Sequence, residues 1–175
     1  MNIKALFLVP LVMLCGCAAP DVTRYAAERP QLDLVKYFSG TTDAWGMFQK
    51  RNGEVVKRFH VVIEGRETDG ALVLDEHFDY SDGTHQQRVW TLRHQPDGRW
   101  TGTAADVVGA AEGSVSGNAL HWSYVLRLPV DDKTYDVAFD DWMYLVDETT
   151  MVNRARMSKF GVRLGEVTLL FRHRS

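Results

Sequence analysis

Leu72-Val-Leu-Asp-Glu76-His-Phe78-Asp-Tyr80-Ser-Asp82-Gly83-Thr-His-Gln-Gln-Arg88-Val-Trp90-Thr-Leu92 is the stretch that decides the fold. On either side of Asp82-Gly83 the residues alternate in polarity at period two, the pattern of strands with one apolar face. Leu72, Leu74, Phe78 and Tyr80 line that face of the first strand, and Trp90 and Leu92 line it on the second. Glu76 and Arg88 fall on the same faces. A three-residue loop, Ser81-Asp82-Gly83 with Gly83 left-handed, sets Leu72 opposite Leu92, Leu74 opposite Trp90 and Glu76 opposite Arg88. A two-residue loop would shift the register by one and oppose unlike faces. The hairpin therefore predicts an inward-facing Glu76 to Arg88 pair.

Turn signals recur outward from this hairpin at Asn52-Gly53, Asp69-Gly70, Asp97-Gly98, Gly117-Asn118 and Asp131-Asp132. Asn-Gly and Asp-Gly supply the positive φ that tight hairpins need. The segments between them alternate as well. Phe59, Val61 and Ile63 share a face with Val55, while Arg58, His60 and Glu64 share the other; Leu120, Trp122, Tyr124, Leu126 and Leu128 stand opposite His121, Ser123 and Arg127. No long helical period and no repeat interrupts the pattern. About eight to ten antiparallel strands without interposed helices must close or sandwich, because an open sheet of that size exposes its edges. The order of hairpins predicts an all-β, single antiparallel up-and-down barrel of calycin type. A Greek-key sandwich is the other closure that the turns allow. Leu32, Val35, Tyr37 and Phe38, ending at Ser39-Gly40, predict a short helical plug, and the small, polar run from Ala18 to Gln31 predicts a tether.

At the N-terminus a lone cation, Lys4, precedes a short apolar run that ends in Leu14-Cys15-Gly16-Cys17. With Pro10 and Gly16 inside it, this run is too short to span a bilayer, which takes about 20 apolar residues. It resembles a bacterial lipoprotein signal, which implies cleavage before Cys17 and acylation of that residue with diacylglycerol and a palmitate-type chain. Ala18, where lipoproteins kept in the inner membrane carry Asp, implies the periplasmic leaflet of the outer membrane. The domain reading is a signal at 1–16, a lipidated N-terminus and tether at 17–31, and a barrel at 32–175. The chain has only two cysteines. With Cys15 removed and Cys17 capped, neither a disulfide nor a thiol catalyst is expected. A formal net charge of -3 with interspersed acids and bases argues against nucleic acid as a partner.

Chemistry-bearing motifs are sparse. His60, His77, His85, His94, His121 and His173 form no metal-binding pattern. No nucleophile elbow, phosphate loop or dinucleotide fingerprint occurs, so neither a catalytic residue, a metal nor a cofactor is expected. Asp140-Asp141-Trp142-Met143-Tyr144 is the densest unusual cluster. It reads either as a polar floor in an apolar cavity or as a bulged strand, with one acid solvated and the other bonded to backbone. Arg154 and Arg156 lie within reach to pair with Asp140 or Asp141. Trp45, Trp90, Trp100, Trp122 and Trp142 suit a filled core slightly better than a lined cavity. A calycin likeness would set Trp45 against an arginine of the last strand, Arg172.

Arg88-Val-Trp90, Ala105-Asp-Val-Val-Gly109, Gly117-Asn-Ala-Leu-His-Trp122, Asp140-Asp-Trp-Met-Tyr144 and Asn153-Arg-Ala-Arg-Met-Ser-Lys-Phe-Gly161, together with Cys17, resemble a family of uncharacterised bacterial lipoproteins, domain of unknown function 3833. The resemblance covers nearly all of the chain beyond the signal and names relatives without naming an activity. The leading expectation is a membrane-anchored, non-enzymatic lipoprotein that binds a lipid or fatty acid in its barrel. Glu76, Arg88, Trp90, Trp122, Asp141, Trp142, Tyr144 and Arg154 are the candidate ligand-binding residues, and Cys17 is the lipidation site. The alternative is an envelope scaffold with a filled barrel, an exposed apolar patch and a protein partner. A lipid hydrolase would need a Ser or Asp within reach of a histidine in a cleft.

Overall fold

A computed structural model describes residues 20–130 and 132–174. The predicted signal, Cys17 and Asp131 lie outside the described residues. Ten strands form one closed sheet: β1 Gly40–Lys50, β2 Val55–Thr68, β3 Ala71–Tyr80, β4 His85–His94, β5 Trp100–Thr103, β6 Ala111–Ser116, β7 Ala119–Val130, β8 Lys133–Leu145, β9 Thr150–Lys159 and β10 Val162–His173. Every strand pairs antiparallel with its sequence neighbours, and β1 pairs with β10 to close the barrel. The up-and-down reading therefore holds and the sandwich does not. Leu72 opposes Leu92, Leu74 opposes Trp90 and Glu76 opposes Arg88, as the three-residue loop requires. Gly83 has φ 80.

The predicted plug is the helix α1, Leu34–Phe38. Asp33 caps its first turn by accepting from the Lys36 N–H at 3.0 Å, and the Tyr37 hydroxyl donates to the Thr149 carbonyl at 3.1 Å. Leu34 and Phe38 turn into the barrel end that carries the β2–β3, β6–β7 and β8–β9 turns. The plug backbone comes so close to β2 that a Cβ on Gly65 would collide with the Phe38 carbonyl oxygen. No side-chain rotation relieves a clash with backbone. Gly65→Ala is expected to lower the unfolding free energy by about 1–3 kcal/mol, the usual cost of overpacking. It should also speed exchange of the Ser39 N–H, which bonds to the Val35 carbonyl. Thermal unfolding and amide exchange check both effects.

The tether reading needs correction over most of its length. Val22–Tyr25 forms a 3₁₀ turn, and the Leu32 N–H donates to the Gly117 carbonyl at 2.8 Å. The Tyr25 ring packs edge-on against Trp142 and Tyr144, at centroid distances of 6.1 and 5.2 Å. Two outward aromatics on β8 thus give the segment an apolar seat, which composition alone concealed.

Candidate functional site

Inward positions of the long strands enclose a cavity of about 180 Å³. A single water needs about 10–15 Å³ counted this way, so the space is on the order of ten times a water site. Its walls are apolar, with Phe59, Val61, Leu74, Trp90, Trp122 and Phe139 prominent. Leu34 and Phe38 of the plug form one end. At the other end Tyr80 and exposed Gln86, beside the β3–β4 turn, form part of the lining.

The filled-core reading is corrected by where the large rings lie. Trp122 lies over two glycines, Gly102 and Gly113, where an added Cβ would run into its ring. The Phe59 ring covers Gly46 in the same way. These rings lie flat on the wall instead of crossing the lumen. Trp45 points outward, half-exposed and stacked on His60 at 5.3 Å. It stands opposite Leu170; Arg172 is opposite Asp43 and donates to Thr150.

One polar patch interrupts the apolar wall. Arg88, on β4, donates from Nε and Nη2 to both carboxylate oxygens of Asp106, at 2.8–3.1 Å. Its Nη1 stands 3.8 Å from the Glu76 carboxylate on β3, too long for a hydrogen bond. Burial alone would pull the guanidinium down, but Glu76 and Asp106 hold it above its ordinary value. Burial pushes the Glu76 carboxyl up to about 7; Arg88 opposes that rise and Asp106 adds to it.

Asp141, on β8, is 5 % exposed and lines the same cavity. Its Oδ2 accepts from the Tyr124 hydroxyl of β7 at 3.1 Å, while its Oδ1 has no hydrogen-bond partner. Burial pushes this carboxyl up to about 7 as well; the Tyr124 hydrogen bond lowers it and the charge of Asp140 raises it. Tyr124 is itself wedged between Phe139, stacked at 5.1 Å, and Trp90, edge-on at 5.4 Å.

Of the candidates read from sequence, the structure gathers Glu76, Arg88, Trp90, Trp122 and Asp141 in the cavity. Trp142, Tyr144 and Arg154 stand on the outer face. Successive side chains of a strand point to opposite faces, so an inward Asp141 sends Trp142 and Tyr144 outward. Trp142 stacks on His121 at 4.4 Å, and Arg154 donates to Glu166 at 2.8 and 3.0 Å. Neither Arg154 nor Arg156 pairs with Asp140 or Asp141: Asp140 bonds to His121 at 2.6 Å. The bulged-strand reading fails too, since β8 keeps an unbroken register with β7 and β9 through 140–142.

The sequence reading missed Asp106 and Tyr124. Asp106 sits in the link between β5 and β6, which β7 holds through Arg127 N–H to the Asp106 carbonyl (2.8 Å) and Val108 N–H to the Val125 carbonyl (2.9 Å). Because β5 and β6 are short, this link completes the wall and presents Asp106 to Arg88. Ala105-Asp-Val-Val-Gly109 was visible as a motif, but no strand parity applies to a loop. Tyr124 had the inward parity, and its hydroxyl in an apolar row was the available signal.

Among the described residues no histidine or serine lines the cavity. His60, His85 and His121 pair with Asp43, Asp79 and Asp140 on the outer wall. Among the described residues no three His, Cys, Asp or Glu side chains gather as a metal site.

The DUF3833 family, described as a protein of unknown function, matches residues 11–173. The chain belongs to that family. No curated protein matches the sequence. Among solved structures this DUF3833 protein is similar to a protein of unknown function from the DUF3598 family of Nostoc punctiforme, with TM-score 0.59 and 14% identity over 85% of this chain. It spans about half, 51%, of that protein. It is also similar to the S-type phycobiliprotein lyase of Guillardia theta, with TM-score 0.59 and 7% identity over 89% of this chain and 99% of that one. At these identities the similarity is one of fold, a calycin-like barrel.

Proposed function

We infer that this DUF3833 protein is a non-enzymatic carrier that holds an apolar, chain-like molecule of lipid class inside its barrel. The observation that carries the reading is the cavity itself: a lumen lined by aliphatic and aromatic side chains with one polar patch, the usual make-up of a small-molecule site. Its location follows from the N-terminal reading, with Cys17 acylated and the protein held on the periplasmic leaflet of the outer membrane. Tyr25 is packed on the barrel wall, so Cys17, eight residues earlier, lies within about 28 Å of it even at full extension. The barrel then works close to the bilayer.

Native mass spectrometry of the full chain, taken from its own membrane and stripped of loosely held lipid, tests the reading. An apolar small molecule should stay with the wild-type protein. It should be lost from Ala155→Phe, which puts a ring into the cavity from β9, while circular dichroism still reports a folded barrel. Equal retention by both, or none by the wild type, would overturn it.

One observation favours the scaffold alternative. Val55, Val56, Phe160, Val162 and Leu164 are exposed at the barrel end opposite the plug. They form an apolar rim to which a protein partner could bind. If Ala155→Phe abolishes nothing while Phe160→Ser releases a co-purifying protein, the scaffold is the better account.

A further inference from the structure

The polar patch in the cavity is short of hydrogen-bond donors and of positive charge. Three carboxylates, Glu76, Asp106 and Asp141, surround one guanidinium, and Arg88 has already given Nε and Nη2 to Asp106. Glu76, which the Trp90 indole N–H already reaches, is 3.8 Å from the remaining Nη1. Asp141 keeps Oδ1 without a partner although the residue is only 5 % exposed. A buried acceptor left unmade is costly, so the complement that this site lacks is a donor. A free fatty acid would bring a further negative charge to a cation already engaged. A hydroxyl would fill the hydrogen bond but leave the charge; a protonated amine supplies both.

We propose that the barrel selects an apolar chain ending in a protonated amine, whose N–H donates to Asp141 Oδ1 beside Glu76. This rests on the carrier reading and replaces its fatty-acid version with a cationic head group. Several groups face Asp141 from the surrounding strands: Tyr124 from β7, Glu76 from β3, Arg88 from β4 and Asn153 from β9, with Asp140 adjacent on β8 but outward. The Asn153 amide donates to the Trp142 carbonyl, so Arg88 is the only cation in this set. Both cavity carboxyls lose their protons near pH 7, so amine binding strengthens from pH 5 to pH 8 and releases protons.

Dodecylamine, dodecanol and dodecanoate are titrated into the purified full chain, with the fluorescence of cavity-lining Trp90 and Trp122 as the signal. At pH 7 the amine should bind at least about tenfold tighter than the other two, in keeping with a charge-assisted hydrogen bond in a buried site. Asp141→Asn keeps the shape and the Tyr124 bond, and should bring the amine down to the level of the alcohol. Binding of all three with no preference for the amine, or a preference untouched by Asp141→Asn, overturns the head-group proposal while leaving the carrier. Failure of all three to bind overturns the carrier with it.

Discussion

Arg88→Met is expected to lower the unfolding free energy by about 3–5 kcal/mol at pH 8, the usual cost of removing one partner from a buried ion pair. Methionine replaces much of the stem volume, so lost packing is a minor part of the effect. What remains is Glu76, Asp106 and Asp141 in one partly enclosed patch without a cation. The loss should shrink at pH 5, where Glu76 and Asp141 carry their protons. Urea unfolding at the two pH values checks this, with unchanged m-values showing that stability alone has moved. An equal loss at both would mean that Arg88 contributes packing and not charge.

The wild-type barrel should grow less stable between about pH 4 and pH 7. Glu76 and Asp141 both have folded values of about 7 against ordinary values of 4.5 and 3.8. The folded state therefore binds more protons across that window, and the unfolding free energy falls as pH rises through it. A tenfold difference in proton affinity between the folded and unfolded chain corresponds to about 1.4 kcal/mol. The two groups interact, so their joint effect is on the order of 3–6 kcal/mol and not a simple sum. Asp141→Asn should flatten the curve, matching the wild type near pH 4 and exceeding it by about 2–4 kcal/mol at pH 8. Parallel curves for the two proteins would contradict the assignment. Below pH 4 the sign reverses, because the Arg174 hydrogen bond holds Asp43 down to about 2 and that stability is lost as Asp43 protonates.

The hairpin around Asp82-Gly83 was legible to the residue because loop length and strand parity constrain each other: only one register brings Leu72, Leu74 and Glu76 against Leu92, Trp90 and Arg88. The barrel followed from repeating that logic along the chain. Two hairpin turns escaped it, besides the link between β5 and β6. Phe160-Gly161 has positive φ at both residues but a bulky first member, and the turn after β8 is held by Asp147 Oδ1 accepting from the Thr149 and Thr150 N–H groups. Neither carries an Asn-Gly or Asp-Gly signature.

The site was legible where strand parity applied and not beyond it. Glu76 and Arg88 followed from alternation, whereas Asp141 was singled out only within a dense cluster; the same rule applied there sets Asp141 inward and excludes Trp142 and Tyr144. Their size and polar ends suggested a binding site, whereas their real partner is Tyr25, more than a hundred residues away in sequence. Asp106 could not be placed because it reaches Arg88 from a loop. Whether five tryptophans fill a barrel or line it depends on glycines one and two strands away. Gly102 and Gly113 let Trp122 lie flat, and that pairing is a property of the closed sheet.

A crystal structure of the full chain with a terminally brominated long-chain amine, read by bromine anomalous scattering, tests most directly whether the lumen holds an apolar chain. The expected result is a bromine peak inside the barrel and an amine nitrogen within hydrogen-bond distance of Asp141 Oδ1. Bromine confined to the outer wall or the exposed rim at Phe160, with the lumen closed over by its own side chains, would contradict it.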